Sequence, residues 1–174
     1  MRENGRIYYR PENGPEALLG VDVSTHQGEI DWEKVAADGI DFAILRLGYR
    51  GYGESGIMKL DDRFEENYQG AVAAGLPVGV YFYSQAITVE EGLEEAQLVL
   101  DTLDGRDLAF PIVFDQEEVF EADARTDDLE SDMATDIAIA FCDKIAEAGY
   151  RPMIYANTKW FMAQIDFSRF HQHD

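Results

Sequence analysis

The sequence is poor in cysteine and in basic residues. A single cysteine, Cys142, stands in a chain of 174 residues, which excludes an internal disulfide and a cysteine-based zinc site. Only 14 lysines and arginines stand against 35 aspartates and glutamates, for a formal charge of −21. Binding through phosphate contacts requires clustered positive charge. Nucleic acid and anionic membrane surfaces are therefore poor partners.

Long apolar runs are also missing. No stretch approaches the roughly 20 apolar residues that span a bilayer, and residues 1–5 lack the apolar core of a signal peptide. We therefore expect no membrane insertion by these residues, which leaves the compartment open because a mature chain has lost its signal. The apolar fraction of 46% is ordinary for a folded protein. The length suits one domain with its own core.

A repeating unit of apolar run, polar loop, amphipathic stretch and glycine fills the sequence from residue 18 onward. The apolar runs predict strands, and the amphipathic stretches predict helices. Links from helix to strand are short, whereas those from strand to helix are long and polar. Asp31 and the pair Thr88 and Glu91 are predicted to cap two of the helices. The runs predicted as strands are 19–23, 42–47, 77–83, 109–114 and 152–156.

This alternation predicts an α/β fold with a parallel sheet, and the nearly continuous apolar strands predict that both sheet faces are buried. Long loops at one end are typical of a barrel or of a doubly wound sheet. The glycine-rich pattern of nucleotide-binding sheets is missing after the first strand, where Asp22-Val23-Ser24-Thr25-His26 stands. A barrel is therefore favoured.

The first 18 residues do not fit the repeat. Within them, residues 8–14 are predicted to form a short extended piece and a turn. We expect residues 1–18 to be an N-terminal extension or linker to an upstream anchor or signal, and residues 19–174 to be the domain.

Residues that carry chemistry in parallel barrels lie where the strands end at the loop face. Asp115 and Glu117 are two apart at such an end, so strand alternation places both on one face with Cα atoms roughly 6–7 Å apart. Two acids that close cannot both ionise freely, so their pKa values separate and supply a proton donor beside an anion. Cleavage of a glycosidic bond needs that division. The complete set of candidates at the strand ends is Asp22, Arg46, Tyr81, Tyr83, Asp115, Glu117, Tyr155 and Asn157.

Structural roles are alternatives for several of these side chains. Asp22 lies between two valines, so it is either functional or hydrogen-bonded to the following loop. Tyr81 and Tyr83 either contact a sugar or fill a barrel interior. An inward-pointing Arg46 requires an acidic partner, which suits an ion pair as well as a site role.

Other groupings point to no chemistry. His171 and His173 fit a frayed tail better than a metal site, and no serine or cysteine nucleophile stands beside His26. Cys142 lies in an amphipathic stretch, where a small buried hydrophobe is expected. The acidic run after Asp115 lacks the spacing and central glycine of a calcium loop, so no metal is predicted.

Four collinear motifs resemble the glycoside hydrolase family 25 lysozymes, also called Chalaropsis-type muramidases. They are residues 20–32 (GVDVSTHQGEIDW), 42–46 (FAILR), 74–81 (AGLPVGVY) and 111–117 (PIVFDQE). The resemblance implies an irregular TIM-like β/α barrel that cleaves the β-1,4 bond between N-acetylmuramic acid and N-acetylglucosamine in bacterial peptidoglycan. It implies no metal or organic cofactor.

The resemblance also implies roles for the candidate residues. Glu117 would be the general acid, and Asp115 would orient the substrate's 2-acetamido group as it attacks the anomeric carbon, with retention of configuration. Asp22 would hydrogen-bond within the same cluster. Tyr81 and Tyr155 match aromatics of the family's groove, and the strand ends add Arg46, Tyr83 and Asn157 as substrate-binding candidates.

Two departures from the family pattern stand out. Gln116 replaces a residue that is often apolar or aromatic, and Glu118 adds a charge beside the acid, so both are expected to affect its pKa. Family barrels also continue with further strands, an aromatic-rich segment and one more active-site aspartate, whereas this sequence stops at Asp174. We therefore expect a barrel truncated before its last strands.

A secreted or cell-surface monomer that hydrolyses peptidoglycan is the leading hypothesis. The location follows from the function, since no targeting motif is present. A catalytically inactive barrel that binds cell walls is the main alternative, and a barrel hydrolase acting on another acetamido sugar such as chitin is a third.

Overall fold

We analysed a computed structural model of the chain, which describes residues 2–3, 6–7, 14, 17–119 and 124–170. Near the amino terminus, β1 (Arg2–Glu3) pairs antiparallel with β2 (Arg6–Ile7). The extended piece predicted for residues 8–14 falls outside the described residues apart from Gly14, and the predicted tail histidines at 171 and 173 fall outside them as well.

One sheet of six strands organises the rest of the described chain. Five strands run parallel in the order β3-β4-β6-β7-β8, and β5 pairs antiparallel with β4. The predicted α/β fold with a parallel sheet is therefore confirmed. The strands are β3 (Gly20–Val23), β4 (Phe42–Arg50), β5 (Met58–Leu60), β6 (Val78–Ser84), β7 (Ile112–Gln116) and β8 (Pro152–Tyr155).

Strand β4 is longer than the sequence pattern predicts. It continues to Arg50 because β5 pairs with its last three residues. The polar loop that the sequence predicts directly after residue 47 therefore begins only at Gly51. Gly48 is required where β4 and β5 meet: a Cβ atom there would lie 2.7 Å from the carbonyl oxygen of Lys59. The hairpin rises from the carboxyl end of the sheet, beside the strand ends that carry the candidate residues.

The helices alternate with the strands as predicted. The Asp31 side chain accepts a hydrogen bond from the backbone N–H of Lys34 at the start of α1, and Thr88 caps α3 in the same way. The Glu91 carboxylate accepts a hydrogen bond from the backbone N–H of Ile87, whereas a capping box requires the N–H of Thr88 as the donor. The helices are α1 (Trp32–Ala37), α2 (Phe64–Ala73), α3 (Val89–Leu103), α4 (Ser131–Glu147) and α5 (Thr158–Ala163).

The core lies between the outer face of the sheet and the helices. Leu45, Phe82 and Phe114 point outward from β4, β6 and β7 and are fully buried. Phe114 packs against Phe141 of α4, with ring centroids 5.0 Å apart. Burial of such side chains supplies most of the driving force for folding.

The inner face of the sheet is open, which corrects the prediction that both faces are buried. Within the described residues, the sheet does not close on itself, and β3 and β8 form its two edges. Side chains on the inner face are therefore only partly covered; Met153, for example, is 49% exposed. This concave face holds the candidate site.

Candidate active site

A cleft of about 770 Å³ occupies the concave face. Its polar half lies at the carboxyl ends of the strands and contains seven of the eight candidate residues, together with His26. Its other half is mainly apolar, and there Phe42 stacks on Phe110 with ring centroids 4.3 Å apart. The polar residues are Asp22, His26, Arg46, Tyr81, Tyr83, Asp115, Glu117 and Tyr155.

Sheet register explains why these side chains meet. Asp115 of β7 pairs with Tyr83 on one side and with Tyr155 on the other, and Arg46 pairs with Tyr81. Paired residues on neighbouring parallel strands point to the same face. Residues far apart in sequence therefore form two adjacent rows across the inner face of the sheet, one with Arg46 and Tyr81 and one with Tyr83, Asp115 and Tyr155.

Asp115 is the most buried acid of the cleft, with 9% of its surface exposed. Its Oδ1 atom is buried and has no hydrogen-bond partner among the described residues. Burial raises the pKa of Asp115 to about 8, and the charges of Glu117 and Asp22 raise it further, whereas Arg46 opposes them. The raised pKa favours the protonated form of this carboxyl group, and its Oδ1 atom is free to bind a ligand.

Glu117 follows β7 directly and is only partly buried. Burial raises its pKa, and a hydrogen bond from the backbone N–H of Asn157 to its carboxylate opposes the rise. The charge of Glu117 in turn raises the pKa of Asp115, so the two carboxyl groups interact electrostatically in the cleft. Their roles as acid and stabilising group stay a prediction.

Asp22 is exposed at the open edge of the cleft. It makes no hydrogen bond within the described part of the chain, unlike the cluster bond that the family resemblance implies. Its influence is electrostatic, since its charge raises the pKa of Asp115, Tyr81 and Tyr155. Its exposure also explains how a carboxylate is accommodated between two valines.

The two tyrosines of β6 line the cleft and do not fill it. Burial raises the pKa of both Tyr81 and Tyr83 to about 12, so both are neutral phenols that can donate hydrogen bonds. Tyr81 also shares a hydrogen bond with the Ser24 side chain. Tyr155 is 52% exposed and presents its ring to solvent within the cleft.

Arg46 lines the cleft and forms an ion pair, so the predicted acidic partner is present, while a role in substrate binding stays a prediction. Its Nε and Nη2 atoms lie 2.8 and 2.7 Å from Oδ2 of Asp61. Its guanidinium carbon also lies 5.1 Å from the ring centroid of Tyr49. Sequence reasoning missed Asp61, although it established that an inward arginine needs an acidic partner.

Asn157 has a different position from the one predicted. Its side chain caps α5 by accepting a hydrogen bond from the N–H of Trp160 at 2.9 Å. It is absent from the described lining of the cleft, and only its backbone N–H reaches Glu117. Asparagine is a preferred helix cap, and the Asn-Thr-Lys-Trp segment after a strand is the signal for that role.

His26 enters the cleft although sequence reasoning set it aside. It lies on the short 3-10 turn Thr25–Gln27, which Ser24 caps. A histidine that only lines a cleft needs no nucleophile beside it, so the lack of a neighbouring serine or cysteine does not exclude His26 from the site. Its place in the first motif, just after Asp22, was the available signal.

The described residues offer no group of three histidine, cysteine or acidic side chains that could hold a metal ion. In the same part of the chain, every helix is too short or too polar to cross a membrane. The polar side chains of the cleft carry carboxyl, phenol, imidazole and guanidinium groups, which can transfer protons, form hydrogen bonds and stabilise charge.

Two solved structures illustrate the similarity of fold. The modular autolysin LytC from Streptococcus pneumoniae superposes with a TM-score of 0.78 at 23% identity, over 100% of this chain and 41% of that chain. The bacterial lysozyme from Streptomyces coelicolor superposes with a TM-score of 0.68 at 26% identity, over 85% of this chain and 66% of that one.

Curated proteins match over shorter segments. Lysozyme M1 of Streptomyces globisporus is 36% identical over 68 residues, which are 39% of this chain and 21% of that protein. The autolytic lysozyme of Clostridium acetobutylicum is 26% identical over 100 residues, which are 58% of this chain and 28% of that protein. The match thus spans less than a third of either relative.

The family comparison covers most of the chain. The family described as glycosyl hydrolases family 25 matches residues 21–174, which include every candidate residue at the strand ends. The protein belongs to family 25 of the glycosyl hydrolases.

Proposed function

We propose that this protein is an N-acetylmuramidase, which hydrolyses the β-1,4 bond between N-acetylmuramic acid and N-acetylglucosamine in bacterial peptidoglycan. One observation carries the proposal: Asp115 and Glu117 lie together in the cleft, and the buried Oδ1 of Asp115 has no partner among the described residues. The names of the relatives agree with it, since they are lysozymes, and LytC has been solved with a synthetic peptidoglycan ligand.

The first chemical step uses both carboxyl groups. Glu117 donates a proton to the glycosidic oxygen, and the carbonyl oxygen of the substrate's 2-acetamido group attacks the anomeric carbon as the leaving sugar departs. The acetamido N–H donates a hydrogen bond to Oδ1 of Asp115, and this bond strengthens as the nitrogen becomes positively charged.

The second step reverses the role of Glu117. As a carboxylate, it accepts a proton from a water molecule, whose oxygen attacks the anomeric carbon and releases the acetamido oxygen. Two inversions at one carbon retain the configuration, and the substrate supplies the nucleophile. Carboxylate separation therefore does not report the stereochemical outcome in this mechanism.

Substrate binding would assign the shared proton. In the open cleft Asp115 is the more buried of the two acids, and its pKa is raised to about 8. A bound sugar covers Glu117 and excludes water, which raises the pKa of Glu117. The acetamido N–H at Asp115 favours the anionic form of that group. Both effects move the proton to Glu117, where protonation of the leaving oxygen requires it.

The remaining side chains suit a sugar polymer. Exposed Tyr155 offers a ring face for a pyranose, while Tyr81 and Tyr83 supply phenol groups. The formal charge of −21 gives no long-range attraction to an anionic wall. Recognition therefore rests on short-range contacts in the cleft.

The test is hydrolysis of purified peptidoglycan, measured as the loss of turbidity and as the appearance of new reducing ends. We expect Glu117→Gln to abolish both signals. The control is Glu118→Gln, because Glu118 pairs with exposed Lys159 at 2.6 Å and, contrary to the sequence-based expectation, is not among the groups that shift the pKa of Glu117. Equal activity of Glu117→Gln and the parent would refute the proposal. Wall binding without reducing ends would favour the inactive barrel, and a preference for chitin would favour a different acetamido substrate.

We further propose that the protein acts as a monomer outside the cytoplasm, in the medium or on the cell surface. Its substrate lies there, and the relatives are autolysins and lysozymes. Fractionation of expressing cells tests the location, and a protein found only in the cytosol would refute it. Light scattering of the purified protein tests the monomer.

A further inference from the structure

A second polar row lies behind the row that faces the cleft. Ser84 of β6 pairs in register with Gln116 of β7, one position beyond the pair formed by Tyr83 and Asp115. Side chains alternate along a strand, so Ser84 and Gln116 point away from the cleft, toward the helices. Both are almost fully buried, at 0% and 1% exposure. Polar side chains are costly in such a layer unless they are hydrogen-bonded, and the Ser84 hydroxyl accepts a hydrogen bond from the backbone N–H of Ala86 at 3.2 Å.

Gln116 stands between the two acids, and its side chain makes one hydrogen bond within the described part of the chain. Its Nε2 donates to the backbone oxygen of Ala86 at 3.3 Å, in the loop between β6 and α3. Its Oε1 is buried, and no partner for it occurs among the described residues. An apolar side chain of similar size would bury no unpaired oxygen. The preference for glutamine at this position therefore does not follow from the free energy of folding.

Gln85 makes a second connection from the same loop. Its Nε2 donates to the carbonyl oxygen of Ser84 at 2.9 Å, and its Oε1 accepts a hydrogen bond from the Thr126 hydroxyl at 3.0 Å. Gln85 is 0% exposed, and Thr126 is 3% exposed. The Thr126 contact therefore attaches the loop that follows Glu117 to the loop that follows β6.

These contacts bracket Glu117. Gln116 connects the residue before it to the loop after β6, and Thr126 connects a residue after it to the same loop. Tyr83 directly precedes this loop and faces Asp115 across the strand pair. Two side-chain amides therefore connect the residue before Glu117, and Thr126 after it, to the loop that follows Tyr83 and Ser84.

We propose that Gln85 and Gln116 are positioning residues, whose buried amide contacts hold Glu117 at the distance from Asp115 that proton transfer requires. The proposal rests on the proposed function only in giving Glu117 the role of acid. A displacement near 1 Å of a reacting group costs about a hundredfold in rate, so loose contacts here would slow the reaction without weakening binding.

Two substitutions test this without touching the cleft. Gln116→Met keeps the volume and removes both amide groups. Thr126→Val keeps the shape and removes the hydroxyl, whereas Thr126→Ser keeps the hydroxyl and is the matched control. We expect kcat to fall about ten- to a hundredfold in Gln116→Met and in Thr126→Val, with KM within about twofold of the parent. Thr126→Ser should remain near the parent.

Two further readouts separate positioning from folding and from the proposed function. Urea unfolding should show Gln116→Met close to the parent in stability, because removal of the orphaned Oε1 offsets loss of the hydrogen bond to the backbone oxygen of Ala86. Carboxyl carbon NMR should show the titration midpoints of Glu117 and Asp115 shifted by about half a pH unit or more in both disrupted variants. That measurement needs no turnover, so a parent protein without activity would refute the proposed function while the titration still decides the positioning. Parent-like kcat and parent-like midpoints in both variants would overturn the inference.

Discussion

Both Nε and Nη2 of Arg46 contact the same carboxylate oxygen of Asp61, at 2.8 and 2.7 Å. The Asp61 side chain is fully buried. It also accepts hydrogen bonds from the backbone N–H of Thr25 and from that of Arg63, each at 3.0 Å. One carboxylate therefore fixes the arginine of the cleft, the turn after β3 and the residue before α2.

Replacing this carboxylate is expected to be costly. Asp61→Asn would leave the Arg46 guanidinium, which is only 12% exposed, without its counter-charge. Breaking a buried ion pair by removing one partner typically costs about 3–5 kcal/mol. Urea unfolding measures the loss, and Asp62→Asn at the exposed neighbour should change stability by less than about 0.5 kcal/mol. Equal stability of the two variants would contradict the prediction.

Asp61 also marks the limit of sequence reasoning. The alternation of strands and helices, and hence the meeting of Asp115 and Glu117 near the carboxyl end of β7, follow from hydrophobic periodicity and from strand alternation. The helix caps at Asp31 and Thr88 follow from residue type alone. These features depend on local sequence, and the structure contains all of them.

Features that depend on distant partners could not be predicted. Asp61 and Asp62 look alike in the sequence, and only the packing of β5 beside β4 buries the first and exposes the second. The same is true of the glutamine contacts, since Gln85 and Thr126 are 41 residues apart. Asp22 is exposed because β3 lies at the edge of the sheet. The two valines beside it in the sequence do not reveal that position.

The buried acid of the cleft should make stability depend on pH. The pKa of Asp115 is about 8 in the folded protein, compared with about 3.9 in an unfolded chain. Between these values the folded state binds the extra proton, so the free energy of unfolding falls as pH rises through this window, by at most about 1.4 kcal/mol per pH unit.

Asp115→Asn should remove that dependence. The variant and the parent should have similar melting temperatures near pH 4, and the advantage of the variant should grow until about pH 8 and then remain constant. Buried Glu95, whose pKa burial raises to about 7, contributes equally to both proteins and cancels in the difference. Calorimetry at pH 4, 6 and 8 measures it, with exposed Asp128→Asn as the control. A constant difference across this range would show that Asp115 is ionised throughout.

Tyr155 should contribute to binding through its ring. Its side chain is 52% exposed in the cleft, so Tyr155→Ala should leave folding intact while weakening binding to insoluble peptidoglycan about three- to tenfold. Tyr155→Phe keeps the ring and should bind close to the parent. A sedimentation assay with the Glu117→Gln background prevents hydrolysis during the measurement. Equal weakening in both variants would assign the contribution to the hydroxyl group.

Gly56 should tolerate no side chain, for two independent reasons. Its φ of 51° lies in the left-handed region, which costs a non-glycine residue about 1 kcal/mol. A Cβ atom there would also lie 1.8 Å from Nη1 of Arg125, whose Nη2 contacts Glu91 at 2.6 Å. Gly56→Ala must therefore displace a buried ion pair, and we expect a loss of about 2–4 kcal/mol in the free energy of unfolding.

Gly53→Ala is the matched control in the same loop, because a Cβ atom added at Gly53 would meet nothing within 4 Å and the φ of this residue is not positive. Parallel urea unfolding of the two variants decides the matter: a Gly56→Ala protein as stable as Gly53→Ala would mean that Arg125 moves aside without cost.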